Sequence, residues 1–274
     1  MMGSRTAVFA LVAALGACAR LPRPVLQPHT ETIPHIGINA GPERFTPDYL
    51  EHFSAWGRIT IRTGVRSVDE ARRVLQSLPP YPSLRVLLLV EKADRALVQA
   101  LLLVKDFPQL AGVELGNELD LAGLSADEFA TWTQTAYDLL IGGGWHRDVI
   151  SGGIYTVTAA TLRYAAPALA RLPCEALFGV HLYGNSSDRV LADLQQAAGC
   201  HQIAVTEFGM PSRTPKEDQA QAAYVADKLN AFRRVGATYA LIYQCCSAPD
   251  RSNLSNFGLE RADRTWKPFQ PIAR

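Results

Sequence analysis

Short apolar runs alternate along the chain with longer segments in which apolar residues recur every three or four positions. The runs lie at residues 35–39, 57–62, 84–90, 112–117, 149–153, 177–183, 203–207 and 239–243. Each run has the length of a buried strand, and the periodic segments between them are typical of amphipathic helices. Strands that alternate with helices predict a parallel sheet.

Helix-start signals precede several of the periodic segments. Thr46 stands before a proline, while Ser67, Ser125 and Thr214 each lie three residues ahead of a glutamate. Eight βα units within residues 35–274 predict an α/β fold, a single (β/α)8 TIM barrel. The alternative, a doubly wound open sheet, usually has a Gly-rich phosphate-binding turn after its first strand. Residues 39–42, Asn-Ala-Gly-Pro, do not form such a turn, so the barrel is favoured.

Composition narrows the possible functions. Apolar residues make up 48% of the 274 residues and charged residues 19%, which argues against disorder. Lys and Arg number 27 against 26 Asp and Glu, so no overall charge attracts nucleic acid. The sequence has no Gly-x4-Gly-Lys loop, and its cysteine spacings match no zinc site. We therefore expect no cofactor, no metal and no nucleic-acid partner, and we expect a monomer.

The first 34 residues predict export. Arg5 precedes an apolar run at 7–17 that is too short to span a membrane, as in a signal peptide. Residues 15–18, Leu-Gly-Ala-Cys, resemble a bacterial lipobox, which implies lipidation of Cys18 and a membrane anchor. The alternative is cleavage after Ala19, which would release a secreted protein. Residues 1–18 are thus a lipoprotein-type signal segment, and the proline-rich residues 19–34 are a tether.

The remaining cysteines are Cys174, Cys200, Cys245 and Cys246. Cys174 and Cys200 precede the sixth and seventh strands, which are neighbours in a barrel, so we expect a disulfide at the amino-terminal rim. Cys245 and Cys246 follow the eighth strand at the opposite end, either as free thiols or as a vicinal pair lining the cleft. Four reduced cysteines are the alternative to the disulfide.

Active sites of such barrels lie at the carboxyl ends of the strands. The residues at these ends are Asn39, Arg62, Glu91, Asn117, Glu118, Tyr155, His181, Tyr183, Glu207, Tyr243 and Gln244. Glu118 and Glu207 end the fourth and seventh strands. Two facing carboxylates are what glycoside hydrolysis requires, since one protonates the leaving oxygen while the other attacks or stabilises the anomeric carbon.

Several motifs resemble those of clan A retaining glycoside hydrolases. Residues 113–118, Val-Glu-Leu-Gly-Asn-Glu, are similar to the acid/base strand of that clan, and residues 205–209, Val-Thr-Glu-Phe-Gly, to its nucleophile strand. Residues 180–183, Val-His-Leu-Tyr, resemble its sixth strand. Phe-Gly-Leu at 257–259 and Lys-Pro-Phe at 267–269 resemble its closing segment. The resemblance is nearest to small β-1,3-glucanases, with family 5 and family 39 enzymes as looser relatives.

The resemblance implies a retaining hydrolase that cleaves an extracellular β-linked polysaccharide, with a β-glucan as the expected substrate. Glu118 would be the acid/base and Glu207 the nucleophile. The supporting or substrate-binding residues would be Asn117, Arg62, His181, Tyr183, Tyr155, Tyr243 and Gln244. Two departures are Leu119-Asp120, where many relatives have a proline, and Cys245-Cys246, where many have a tryptophan. These departures leave open an inactive polysaccharide-binding or exopolysaccharide-assembly lipoprotein.

Some of these residues also have purely structural interpretations. Glu114, four residues before Glu118, is expected to be a buried carboxylate paired with a basic side chain. Arg62 is either such a counter-ion or the residue that positions the nucleophile. Trp145, Tyr155 and Tyr243 are either core aromatics or sugar-stacking surfaces. Trp56 and Trp132 lie on apolar helix faces and are expected in the core.

Overall fold

A computed structural model of the chain describes residues 34–184, 187–246, 257–261 and 265–267. The predicted signal segment, Cys18 and nearly all of the tether lie outside these residues, so export and lipidation stay predictions. Within the described residues, no helix combines the length and the apolar character that crossing a membrane requires.

Eight strands form one parallel sheet. They are β1 His35–Asn39, β2 Ile59–Gly64, β3 Leu84–Leu89, β4 Leu110–Glu114, β5 Asp148–Ile150, β6 Phe178–His181, β7 Ile203–Phe208 and β8 Tyr239–Ile242. The spatial order is β5-β4-β3-β2-β1-β8-β7-β6. Between β5 and β6 the ring is completed by isolated parallel bridges, Ile150 with Leu177 and Ile154 with Val180. The predicted (β/α)8 barrel is therefore confirmed.

Among the described residues, seven α-helices follow the first seven strands. They are α1 Pro47–Ser54, α2 Val68–Gln76, α3 Arg95–Leu101, α4 Ala126–Gly142, α5 Ala159–Arg171, α6 Asp188–Ala198 and α7 Pro215–Arg234. Reciprocal capping boxes start α4 at Ser125 and α7 at Thr214, as the sequence predicts. At α2 the Ser67 side chain accepts from the Glu70 amide, but the Glu70 carboxylate accepts from the Arg66 amide instead of closing the box.

Apolar side chains fill both the barrel and the layer between barrel and helices. One buried cluster lies between strands and helices and includes Trp132 and Trp145, with Trp56 packed against it. A second cluster, which includes Leu87 and Tyr239, is formed by strand residues. The prediction that Trp56 and Trp132 belong to the core is confirmed, and Trp145 joins them as a core residue.

The amino-terminal rim carries the expected disulfide. Cys174 and Cys200 are bonded with their Cα atoms 5.3 Å apart, just ahead of β6 and β7. Nearby, the His201 ring lies 2.9 Å from the carbonyl oxygens of Ala176 and Leu169. These contacts join α5 and the α5–β6 connection to the α6–β7 connection at one end of the molecule.

Of the two alternatives for Cys245 and Cys246, free thiols or a vicinal pair that lines the cleft, the structure has the bonded pair, but away from the cleft. Cys245 and Cys246 are joined to each other but are only 1% and 9% exposed, and they pack in the hydrophobic core. Tyr243 and Gln244 line the cleft at this point instead. The prediction that the pair lines the cleft was wrong, because β8 ends at Ile242 and the residues beyond it no longer follow strand alternation.

Candidate active site

The fourth strand ends earlier than the sequence suggests. β4 stops at Glu114, and the chain then passes through Gly116, whose φ of 121° is readily adopted only by glycine. Glu118 follows with φ of 48°, and its amide donates to the Gly153 carbonyl over 2.8 Å. Glu114 and Glu118 are therefore not on one face of a single strand. The loop after β4 determines the position of Glu118.

Arg62 on β2 is the centre of a buried polar network. Its Nε donates to Glu114 Oε2 at 2.5 Å, and its Nη1 donates to Glu207 Oε1 and Asn39 Oδ1, each at 2.7 Å. Its Nη2 donates to Asn117 Oδ1 at 2.8 Å. Burial lowers the pKa of Arg62, but the charges of Glu114 and Glu207 raise it above its ordinary value. Arg62 is thus the counter-ion of two buried carboxylates, and it contacts Glu207 directly.

Glu114 is a structural carboxylate, as its pairing with Arg62 indicates. It is fully buried, and its Oε1 accepts from the Gly153 amide at 3.0 Å and from Thr206 Oγ1 at 2.9 Å. Both of its oxygens accept hydrogen bonds from protein donors, and Glu114 is not part of the cleft lining. A buried carboxylate is stable only when paired and hydrogen-bonded in this way.

Glu207 on β7 is held in its ionised form. Burial raises the pKa of its carboxyl, but the charges of His181 and Arg62 and the hydrogen bonds from Tyr183 and Arg62 outweigh burial and bring it below 4.5. Tyr183 donates to Glu207 Oε2 at 2.5 Å. Burial and the Glu207 charge raise the pKa of Tyr183, so its phenol keeps the proton that it donates.

Glu118 faces Glu207 across His181. His181 Nδ1 lies 2.8 Å from Glu118 Oε1 and 3.6 Å from Glu207 Oε2. One nitrogen of His181 and one carboxylate oxygen each of Glu118 and Glu207 all lie within 4.8 Å of one another. Glu118 is partly exposed, whereas Glu207 and His181 are buried. The two carboxylates therefore meet at the same point of the barrel mouth, in different environments.

The same three side chains are the group that could hold a metal ion among the described residues. Both oxygens of Glu207 already accept hydrogen bonds, one from Arg62 and one from Tyr183. The guanidinium charge 2.7 Å from Glu207 also repels a second cation. The arrangement favours acid–base chemistry at two carboxylates over metal binding.

The remaining predicted site residues are distributed over the barrel mouth. Tyr243 and Gln244 line a cleft of about 970 Å³, together with Asn117, Arg62 and Glu207. Tyr155 is 45% exposed, and its amide donates to Asp120 Oδ1 at 3.3 Å. It stands on the Glu118 side of the mouth as an exposed aromatic side chain.

Sequence reasoning assigned no site role to Asn39, Thr206 and Gly153. The Asn39 amide nitrogen donates to two carbonyl groups while its oxygen holds Arg62. A Cβ on Gly153 would lie 2.5 Å from His181 Nε2, so only glycine allows His181 to approach this closely. The position of Asn39 at a strand end was a usable signal. The hydroxyl of Thr206 and the backbone of Gly153 act through contacts with residues distant in sequence, which the sequence does not display.

Several solved structures share this fold. An exo-β-1,3-glucanase of family 128 from Aureobasidium namibiae superposes with a TM-score of 0.62 at 13% identity, covering 88% of this chain and 99% of that one. A β-1,3-glucanosyltransferase from Rhizomucor miehei gives 0.61 at 16% identity, covering 85% and 95%. An exo-β-1,4-mannosidase from an Opitutaceae bacterium gives 0.65 at 16% identity and covers 87% of this chain, which spans only 57% of its length.

No protein-family model and no curated protein sequence matches the chain. The likeness to these solved structures confirms the (β/α)8 fold, which is the fold of clan A glycoside hydrolases.

Proposed function

We propose that this chain is a retaining glycoside hydrolase that cleaves a β-linked polysaccharide, with a β-glucan as the expected substrate. The observation that carries the proposal is the closeness of Glu118 and Glu207, whose nearest carboxylate oxygens lie within 4.8 Å. Carboxyl groups about 5–5.5 Å apart are typical of retaining enzymes, whereas inverting enzymes leave about 6.5–9.5 Å for a water molecule.

In the first step, Glu207 attacks the anomeric carbon while Glu118 transfers a proton to the glycosidic oxygen. The carbon–oxygen bond to the leaving sugar breaks, and a covalent ester between the substrate sugar and Glu207 forms. In the second step, Glu118 takes a proton from water, and the resulting hydroxide displaces Glu207 from the same carbon. Two inversions restore the original configuration, and both carboxyl groups return to their starting states.

The surrounding contacts suit these two roles. Arg62 and Tyr183 keep Glu207 ionised and fix both of its oxygens, so its orientation is set before the substrate binds. Within the described part of the chain, the carboxylate of Glu118 contacts one side chain, His181, and it is more exposed than that of Glu207. A group that exchanges protons with a leaving sugar and then with water needs such access.

The choice of a β-glucan follows from the similar structures and from the predicted export. Two of the similar structures are a β-1,3-glucanase and a β-1,3-glucanosyltransferase, while a third is a β-1,4-mannosidase. The predicted export signal favours a polymer outside the cytoplasm. The linkage and the sugar are therefore determined by assay, with a panel of β-glucans, β-mannans and bacterial exopolysaccharides.

The decisive experiment compares the wild type with Glu118→Gln and Glu207→Gln on that panel. We expect each substitution to lower kcat by about 10³-fold or more, since each removes a group that acts in bond cleavage. NMR of the first product should show the configuration of the substrate. Glu175→Gln, an exposed carboxylate at the opposite end of the barrel, is the matched control and should leave kcat unchanged.

Two results would contradict the proposal. An inverted product would exclude the covalent intermediate at Glu207. Binding of a polysaccharide that Glu207→Gln does not alter, with no reducing ends released by the wild type, would support the polysaccharide-binding alternative instead.

A further inference from the structure

The cleft beside Glu207 lies mainly on one part of the barrel mouth. Most of its walls come from residues 39–46, 62–74 and 89–92, which are the carboxyl ends of the first three strands and the residues after them. Of the loop after β4, Asn117 and Ala122 are part of the wall, whereas Glu118 is not among the described residues that line it. The cavity therefore touches the proposed nucleophile, whereas the side chain of the proposed acid lies outside its lining, against His181 on β6.

This asymmetry assigns a direction to a bound chain. The carboxylic acid that protonates the glycosidic oxygen must lie on the side of the leaving sugar. A sugar chain in the cleft, which lies away from Glu118, is on the other side of the bond that breaks. The cleft would hold the glycone, the part of the substrate that becomes attached to Glu207.

The cleft also has a distinctive charge pattern. Beyond the Arg62–Glu207 pair, its lining includes three basic and three acidic side chains, Arg66, Arg73, Lys92, Glu43, Glu70 and Glu91. Equal numbers of the two signs give no net attraction for a polyanion. They supply both donors and acceptors, which matches sugar hydroxyl groups because these also donate and accept.

Several of these groups are available to a ligand. Among the described residues, the side chains of Arg66, Glu91 and Lys92 have no hydrogen bond or ion pair with another protein group, and all three are exposed. The carboxylates of Glu43 and Glu91 lie over glycines, since a Cβ on Gly41 or Gly64 would come within 2.4 Å of their oxygens. Two aromatic residues, Phe45 and Tyr243, are among the lining.

We propose that this cleft binds two or more sugar units of a neutral glycan on the glycone side, and that Arg66, Glu91 and Lys92 determine its specificity by hydrogen bonds to hydroxyl groups. A volume of about 970 Å³ lies at the upper end of the range for small-molecule sites, roughly 300–1,000 Å³, which leaves room beyond one ring. The inference rests on the proposed hydrolase function for its direction, but the binding of a neutral glycan can be measured separately.

The first test uses 4-nitrophenyl β-glycosides whose glycone is one, two or three glucose units long, in both 1,3- and 1,4-linked series. Wild-type kcat/KM should rise at least about tenfold from one unit to three, since a single hydrogen bond to a charged group accounts for such a factor. Lys92→Ala and Arg66→Ala should each reduce this rise. Arg171→Ala, at the end of α5 on the opposite side of the barrel, should not change it.

Equal kcat/KM for all three lengths in the wild type would overturn the glycone assignment while leaving the hydrolase proposal intact. If neither these glycosides nor any polysaccharide of the panel is cleaved, the hydrolase proposal fails, and calorimetry tests the cleft by itself. Glu207→Gln should bind a neutral trisaccharide from glucose or mannose about tenfold more tightly than Glu207→Gln with Lys92→Ala. Tighter binding of trigalacturonate than of every neutral trisaccharide, or no binding of any, would overturn the proposal.

Discussion

At the carboxyl ends of its strands the barrel buries Arg62, Glu114 and Glu207 in one network of short hydrogen bonds. At the amino ends it places a disulfide between Cys174 and Cys200, and Tyr239 donates to Asp148 there at 2.5 Å. One end concentrates charge in a water-poor environment, whereas the other joins neighbouring connections covalently.

The two solutions have different energetic consequences. Burying paired charges costs desolvation energy that their attraction only offsets, so such a network adds little to the stability of the fold. Removing one member of the network is nevertheless strongly destabilising, because it leaves a buried charge unpaired. A disulfide restricts the unfolded chain and adds stability whatever happens at the other end. In barrels of this type, catalysis belongs to the carboxyl end and stability to the amino end. This division can be tested by changing each end separately.

The largest effect is expected from Arg62→Met. The substitution leaves Glu114 fully buried without its cation and removes one partner of Glu207. We expect a loss of about 3–5 kcal/mol in the free energy of unfolding, measured by urea denaturation, together with a loss of turnover. Adding Glu114→Gln should recover part of the stability, because the unpaired buried charge is then gone, but no activity. An unfolding midpoint equal to that of the wild type would show that the network is not buried as described.

The paired serine variant Cys174→Ser with Cys200→Ser should affect stability alone. The two cysteines are 26 residues apart, and closing such a loop contributes about 3 kcal/mol in the chain-entropy model. Because the bond lies at the end opposite Glu207, kcat should stay within about twofold of the wild type when assayed well below the unfolding temperature. A large fall in kcat in the folded variant would mean that the two ends are coupled.

The sequence patterns predicted which residues lie at each end of the barrel. The predictions that were wrong concern short segments. Alternating strands and helices placed Glu118 and Glu207 at one rim and the Cys174–Cys200 bond at the other, since both follow from strand order. The end of β4 was misplaced, because the turn at Gly116 depends on a backbone angle that an apolar pattern does not reveal. The contacts of Gly153 with His181 and Glu114 join segments that are distant in sequence, so no local signal announces them.

The smallest expected effect is on the pH dependence of stability. The carboxyl end of the barrel should respond to acid, whereas the disulfide at the amino end should not. Since the pKa of Glu207 is lower in the folded chain than its ordinary value of 4.5, its ionised form stabilises the fold above that pH. This contribution is lost as the pH falls through the folded-state pKa, where the proton binds. The thermal midpoint of the wild type should therefore fall more steeply between pH 6 and pH 3 than that of Glu207→Gln. The difference between the two midpoints should shrink at acid pH, where the wild-type carboxyl is neutral like the amide.

The control is the paired serine variant, Cys174→Ser with Cys200→Ser, which keeps Glu207. Its curve of thermal midpoint against pH should run parallel to that of the wild type at lower temperature, because the lost disulfide does not titrate. Parallel curves for Glu207→Gln and the wild type would show that Arg62 and Tyr183 do not favour the ionised carboxylate, and the charged end of the barrel would then need another explanation.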